Sequence, residues 1–429
     1  MLERFFHLQA NGTTVRTEVL AGFTTFLTMA YIVFVNPAIL ADAGMDRGAV
    51  FTATCLAAVI GTMIMGLLAN YPIAQAPGMG MNAFFTYTIV IGMGHTWQVA
   101  LGCVFISGIL FVALSLFKVR EWVINAVPRS LKMSIAAGIG FFIGFIALKN
   151  AGFVVAHPAT LVGIGDLTRP EPILAALGFA IMVALHAWRV PGSILIAILA
   201  VTVLSGLFGL VQWQGIVSTP PSLAPTFMQM DLAGALEPAL ISVIFTLLFL
   251  DLFDTAGTLI GTGHAAGLLD EKGRLPRIGK ALFADSTATV AGSVLGTSNT
   301  TSYIESLSGI EQGGRTGLTA VVVGLLFLLA LFFAPLAGTI PAFATASALF
   351  FVACLMARGL VDIDWKDVTE FAPALVAAIT MPLTFSIATG IGLAFIAYAG
   401  IKLISGRARE AGIAIYLIAG AFVLKFAFL

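Results

Sequence analysis

Long apolar blocks alternate with short polar breaks along the chain, and the blocks match the roughly 20 apolar residues that a helix needs to cross a bilayer. They fall at 19–40, 49–69, 97–117, 129–149, 172–188, 192–212, 235–261, 281–296, 316–337, 341–357, 370–386, 387–404 and 411–428, each predicted to be a spanning helix. Two weaker segments interrupt the series. Residues 77–93 begin PGMGMNAFFTY, and residues 296–312 read GTSNTTSYIESLSGIEQ. Both are too short and too rich in Gly, Ser, Thr or Asn for a regular span. Irregular backbone at membrane depth survives only where protein or a cavity satisfies its polar groups.

These two segments stand third and tenth, each after two long blocks and before four. The correspondence predicts seven segments repeated, with the second copy inverted because seven is odd. The expected fold is therefore an all-α polytopic membrane protein, a 7+7 inverted-repeat transporter whose short third and tenth segments are broken. Block 411–428 is left over, as an added or interfacial helix.

Composition agrees with that pattern. Of 429 residues, 59% are apolar and 10% charged, against about 25% charged in a typical soluble domain. Net charge is zero, so no basic footprint points to nucleic acid. With a cytoplasmic N-terminus and fourteen crossings, seventeen Lys and Arg fall inside, among them Lys118, Arg120, Lys272 and Arg274, and only Arg47, Lys149 and Arg169 outside. The first 18 residues are amphipathic and lack a cleavable signal. Cys55, Cys103 and Cys354 all lie in apolar runs and read as small core residues. The five histidines neither cluster nor follow a metal-ligand spacing, and the charged run at 270–280 reads as a solvated turn.

Four acids sit at membrane depth. Asp251 and Asp254 lie in LFLDLFDTAGTLIGT (248–262), Asp285 follows in the next block, and Glu305 ends the polar run of the tenth segment. A charge at the middle of a span costs on the order of 3 kcal/mol on insertion scales, so these groups must face something wet or binding. Asp254 and Thr258 are one helical turn apart, with Asp251 about 60° away. Asp251 could instead bond inward, and Asp285 could merely brace the broken segment beside it. The first half offers Gly78, Gly80 and Asn82, with Phe84 and Phe85 beyond: glycines let a flat ligand approach the backbone, and aromatic faces stack on it. No hydrolase, metalloprotease or nucleotide-binding motif appears in a supporting context.

The motifs FDTAGTLIG (253–261), ALFADS (281–286), YIES (303–306), GGRTGLTA (313–320), GTTVRTEVLAGFTTFLTMAYIVFVNP (12–37) and APGMGMNAFF (76–85) resemble the AzgA-like purine permeases of the nucleobase:cation symporter superfamily, and within it guanine/hypoxanthine permeases most. The resemblance covers almost the whole chain. It implies a cytoplasmic segment 1–18, a core domain from 19–117 and 235–337, and a gate domain from 118–234 and 338–429. It also implies proton symport of guanine or hypoxanthine, with adenine as an alternative, by elevator-like alternating access in a bacterial inner membrane. The coupling ion would be H+, with no other cofactor and no metal. Partners would be a purine nucleobase, the proton and the lipid bilayer, with a homodimer among the compatible assemblies. Asp254 would be the principal substrate carboxylate and Glu305 the second, joined by Asn82, Thr258, Gly80 and Phe84. Glu305, Asp285 and Asp251 would serve proton coupling and support.

Three rival readings remain at this point. Another solute could use the same scaffold, although four buried acids and no buried Lys or Arg weigh against an anion. An intramembrane transferase could use DLFD (251–254) to hold a metal, although 236–263 has no Lys or Arg for a diphosphate. A channel is the third.

Overall fold

Backbone donors inside hydrocarbon must be paired within their own segment, so the apolar blocks coil into helices. The computed structural model describes residues 2–116, 127–270 and 275–428. Among the described residues, ten helical stretches are long and apolar enough to cross a membrane, and Met79–Gly92, Ser193–Leu207 and Val368–Leu383 are shorter apolar helices. Lys118, Arg120, Lys272 and Arg274, counted above for orientation, lie outside the described residues. Helix starts carry side-chain caps where the sequence supplies them: Thr14, Asp46 and Ser386 each accept from a backbone N–H of the first turn.

The blocks differ from regular spans at informative places. The first is split into Val15–Met29 and Ile32–Ala41, which leaves Tyr31 at the joint. The third and tenth segments are not simply interrupted helices. Each opens with an extended strand, Gln75–Pro77 and Thr300–Ser302, before the helices Met79–Ala83 and Ser306–Glu311. The strands pair antiparallel with Gln75 opposite Ser302 and Pro77 opposite Thr300. Tyr303 N to Ala74 O and Gly78 N to Asn299 O, both 2.9 Å, extend the pairing at either end. Extended backbone buried this deeply has unpaired groups on both edges, and the two segments satisfy each other. A second two-stranded sheet, Val154–His157 with Leu161–Ile164, fills the connection before Pro170–Ala187.

Helices pack in two groups. Ile278–Leu295 lies against Trp97–Leu116 and Arg47–Ile64, and Gly317–Ala330 against Val15–Met29 and Arg47–Ile64. In the other group Arg129–Asn150 lies against Ala342–Ala357 and Val368–Leu383, and Ala408–Phe428, kinked at Gly412 (φ 69°), covers Ile387–Ile404.

Two expectations about side chains need correction, and one buried acid was not anticipated. Cys354 is exposed on its helix, unlike Cys55 and Cys103, because it falls on the outer face of Ala342–Ala357. Lys402 is fully buried, its Nζ 2.6 Å from Glu370 and 2.8 Å from Glu410. That contradicts the expectation of no buried cation; the two carboxylates that compensate it come from neighbouring helices, which sequence spacing does not reveal. Glu18 is also fully buried, and it accepts from the backbone N–H groups of Arg315 and Thr319 and from the Thr319 hydroxyl at 2.6 Å, which ties the N-terminal helix to Gly317–Ala330.

Candidate functional site

The strand pair is flanked by two helices that supply carboxylates, Pro238–Ala265 and Ile278–Leu295. From these the structure builds two unlike acidic pairs.

The first pair is sealed. Asp285 has no exposed surface and Asp251 is 1% exposed. Asp285 Oδ1 accepts from Gln75 Nε2 at 2.9 Å and from the Ser302 hydroxyl at 3.1 Å, while its Oδ2 accepts from the Thr255 hydroxyl at 2.6 Å. Asp285 thus touches both strands and the neighbouring helix. Asp251 Oδ2 accepts from Thr289 (2.9 Å) and Asn299 Nδ2 (3.0 Å), and its Oδ1 has no hydrogen-bond partner. The two carboxyls lie within Coulombic reach of each other. Among the described residues no Lys or Arg forms an ion pair with either one.

The second pair is open. Asp254 is exposed and Glu305 half-buried, within Coulombic reach of each other. Tyr31, at the joint of the first split block, donates to Glu305 Oε1 at 2.6 Å. The Thr301 hydroxyl lies beside the Asp254 carboxylate. From Asp254 an exposed stripe follows the helix through Gly257, Ile260 and Gly261 to His264. A Cβ at Gly257 would meet nothing within 4 Å, so the missing side chains keep the stripe open. On the adjoining face Phe245, Phe249 and Phe253 line an apolar cavity of about 630 Å³, shared with Phe395 and Phe422. Phe249 and Phe253 stack at 5.9 Å, and Lys132 Nζ sits 5.8 Å from the Phe253 ring centre.

The other candidates take different positions. Thr258 is 8% exposed, turned inward beside the stripe. Asn82 is fully buried; its Oδ1 accepts from the Ser298 hydroxyl and its Nδ2 has no partner. Gly80 is half-buried against Ile139, whose Cγ2 would lie 2.8 Å from an added Cβ. Phe84 has no exposed surface and belongs to the core. The structure therefore brings Asp254 and Glu305 within Coulombic reach of each other with part of their surface exposed, encloses Asp251 and Asp285, and holds Asn82 and Phe84 out of solvent.

Sequence reasoning missed Gln75, Tyr31, Thr255 and Thr301. Their signal was weak but present: single polar groups inside or beside apolar runs, such as Gln75 in PIAQAP and Tyr31 in LTMAYIVF.

A permease family profile, Xan_ur_permease, matches residues 16–393. The adenine permease AdeP of Escherichia coli (strain K12) is 51% identical over 429 residues, covering 100% of this chain and 96% of its own. The guanine/hypoxanthine permease PbuG of Bacillus subtilis (strain 168) is 47% identical over 440 residues, covering 100% of both. Overall identity does not separate adenine from guanine/hypoxanthine permeases. Among solved structures, the transmembrane domain of a cyanobacterium bicarbonate transporter, BicA, aligns with a TM-score of 0.65 at 18% identity, over 87% of this chain and 96% of that one. At that identity the likeness is one of fold alone.

Proposed function

The chain belongs to the permease family and is a multi-pass membrane transporter rather than an enzyme, and from that premise we propose that it takes up purine nucleobases by proton symport. The observation that supports this reading is the pair Asp254 and Glu305, two carboxylates with exposed surface that lie within Coulombic reach of each other beside the paired strands. Guanine and hypoxanthine present ring N–H donors that two carboxylates bracket, and a keto oxygen that backbone N–H groups of the broken segments meet. Adenine also presents N–H donors and differs in its acceptors. A base with the wrong pattern leaves buried polar groups unpaired, at about 1–3 kcal/mol each.

In this reading Glu305 and Asp254 bind the base, Asn82 sets the choice among purines from behind the strand pair, and Asp285 and Asp251 support the site. A proton travelling with a neutral base draws about 2.3 kcal/mol per 100 mV from the membrane potential. The helix group around Ile278–Leu295 forms the core that carries the site, and the group around Arg129–Asn150 forms the gate against which it moves, elevator-fashion. The exposed stripe from Asp254 to His264 then marks an inward-open conformer of a protein with its N-terminus in the cytoplasm of a bacterial cell. The relatives' printed substrates, adenine and guanine/hypoxanthine, support a purine and leave its identity to measurement.

Uptake of labelled hypoxanthine into cells expressing the protein, in competition with unlabelled guanine, adenine and uracil and with or without a protonophore, tests this. Purines should compete, uracil should not, and the protonophore should abolish accumulation. Competition by uracil alone would overturn the purine assignment, and uptake indifferent to the protonophore would overturn proton coupling.

A further inference from the structure

Behind the open pair, two side-chain hydrogen bonds and one close approach run in a line. The Thr255 hydroxyl lies 2.6 Å from Asp285 Oδ2, the Thr255 and Thr301 hydroxyls lie 2.8 Å apart, and the Thr301 hydroxyl lies beside Asp254. Asp285, Thr255 and Thr301 are buried and Asp254 is exposed, so the line leads from the sealed interior to the opening. Proton counting gives this geometry a meaning. Three contacts are linked by two hydroxyls, which carry two protons. If Thr255 donates to Asp285, then Thr301 must donate to Thr255, and the contact with Asp254 is filled only when Asp254 is itself protonated and donates to Thr301. If Asp254 is ionised and takes the Thr301 proton, Thr255 must donate to Thr301, and Asp285 must be protonated to donate to Thr255. Filling every contact therefore requires one further proton, held by one end or the other.

We propose that Thr255 and Thr301 form a two-hydroxyl relay that carries the coupling proton between Asp285 and Asp254 without water. In the transfer the Asp285 proton passes to Thr255, the Thr255 proton to Thr301 and the Thr301 proton to Asp254. One O–H bond forms and one breaks at each hydroxyl, with a net movement of one proton and no other change in bonding. The surroundings bias its position. Asp285 faces Asp251 as well as Asp254, and Asp254 faces Glu305, which in turn faces Tyr31 and Tyr303; Lys132 approaches Phe253 on the next turn. A base whose N–H donors reach the Asp254 carboxylate favours the ionised end there, and so holds the proton at Asp285 while the base is bound. Release of the base returns it. The proposal rests on the proton-symport reading and gives that reading its path.

Proteoliposomes loaded for counterflow, or given an acid-outside pH gradient, separate the two. With labelled hypoxanthine and adenine as probes, Thr255→Val should still exchange bases in counterflow while gradient-driven accumulation falls at least about tenfold, and Thr255→Ser should accumulate as wild type does. Wild-type protein that ignores the gradient would overturn the symport reading and the relay with it. A gradient response in wild type that persists unchanged in Thr255→Val would overturn the relay alone. A second measurement uses protein that keeps its hydroxyl: infrared difference spectra on adding hypoxanthine should show a carboxylic acid C=O change in wild type that shifts in Thr255→Ser, and the absence of any such change in wild type would contradict the relay.

Discussion

Tyr31 donates its phenolic hydrogen to Glu305 Oε1 across 2.6 Å, so the joint in the first split block holds a carboxylate of the tenth segment in place. Hydrogen bonds to a charged group contribute about 1.5–3 kcal/mol. Tyr31→Phe should therefore raise the KM for purine uptake by about tenfold or more while the folded protein persists in the membrane. Initial-rate uptake normalised to membrane protein checks this; an unchanged KM would free Glu305 of any need for Tyr31.

Gln75 joins both strands to the sealed carboxyl, since its Nε2 donates to Asp285 Oδ1 and to the Ser302 hydroxyl while its backbone pairs with Thr62. Gln75→Leu removes the donors and leaves buried acceptors unsatisfied, a cost of about 1–3 kcal/mol. The melting temperature in detergent should fall, and Gln75→Glu should do worse because it adds a third acid to an enclosed cluster. A rise in melting temperature for either variant would count against the network.

Gly78 sits where the halves meet, and a Cβ there would lie 2.8 Å from Thr301 Cγ2 and collide with the Met81 side chain. Gly78→Val should push the strands apart and abolish uptake, with Gly78→Ala intermediate. A transport assay on protein of matched surface expression decides it.

Which of these features the chain announced beforehand depends on how local their causes are. The spans were readable because twenty apolar residues in a row admit few other fates, and the four acids because burial makes them costly. The broken segments were readable from Gly, Ser and Thr content, but three-residue strands carry no periodicity, so their antiparallel register was not. The burial of Glu18 and Lys402 was not readable because their partners lie on other helices. The division into a sealed pair and an open pair depends on which helix faces meet in space, as does the burial of Phe84, which sequence placed against the substrate.

Lys402 of Ile387–Ile404 pins the last helix, Ala408–Phe428, to Val368–Leu383 through Glu370 and Glu410. Only the Lys402 side is fully buried, and Glu370 and Glu410 keep water or other donors, so Lys402→Met should lower the melting temperature by less than loss of a wholly buried pair, about 3–5 kcal/mol, would. A second substitution, Glu370→Gln, should recover part of the loss by removing the stranded charge. Additive losses in the double variant would contradict the pairing.

Beside it, the Thr369 hydroxyl and Arg407 hold the Asp367 carboxyl down at about 2. A carboxyl lowered on folding stabilises above its unfolded value, near 3.9, and loses that contribution as pH falls through the folded value. Thermal stability should therefore decline in the window from about 4 to 2 less steeply in Asp367→Asn than in wild type, with the two curves parallel above pH 5. Divergence at neutral pH would point to another role.

We propose above all that Asp254 and Glu305 bind the base and that a proton moves with it. Binding of hypoxanthine and adenine to purified wild type and Asp254→Asn, followed by calorimetry in buffers of differing ionisation enthalpy, measures both at once. Wild type should bind a purine with a proton exchanged in a pH-dependent amount, and Asp254→Asn should remain folded and bind at least about tenfold more weakly, as loss of a charged acceptor requires. Equal purine affinity in the two proteins, with the same proton exchange, would contradict the account.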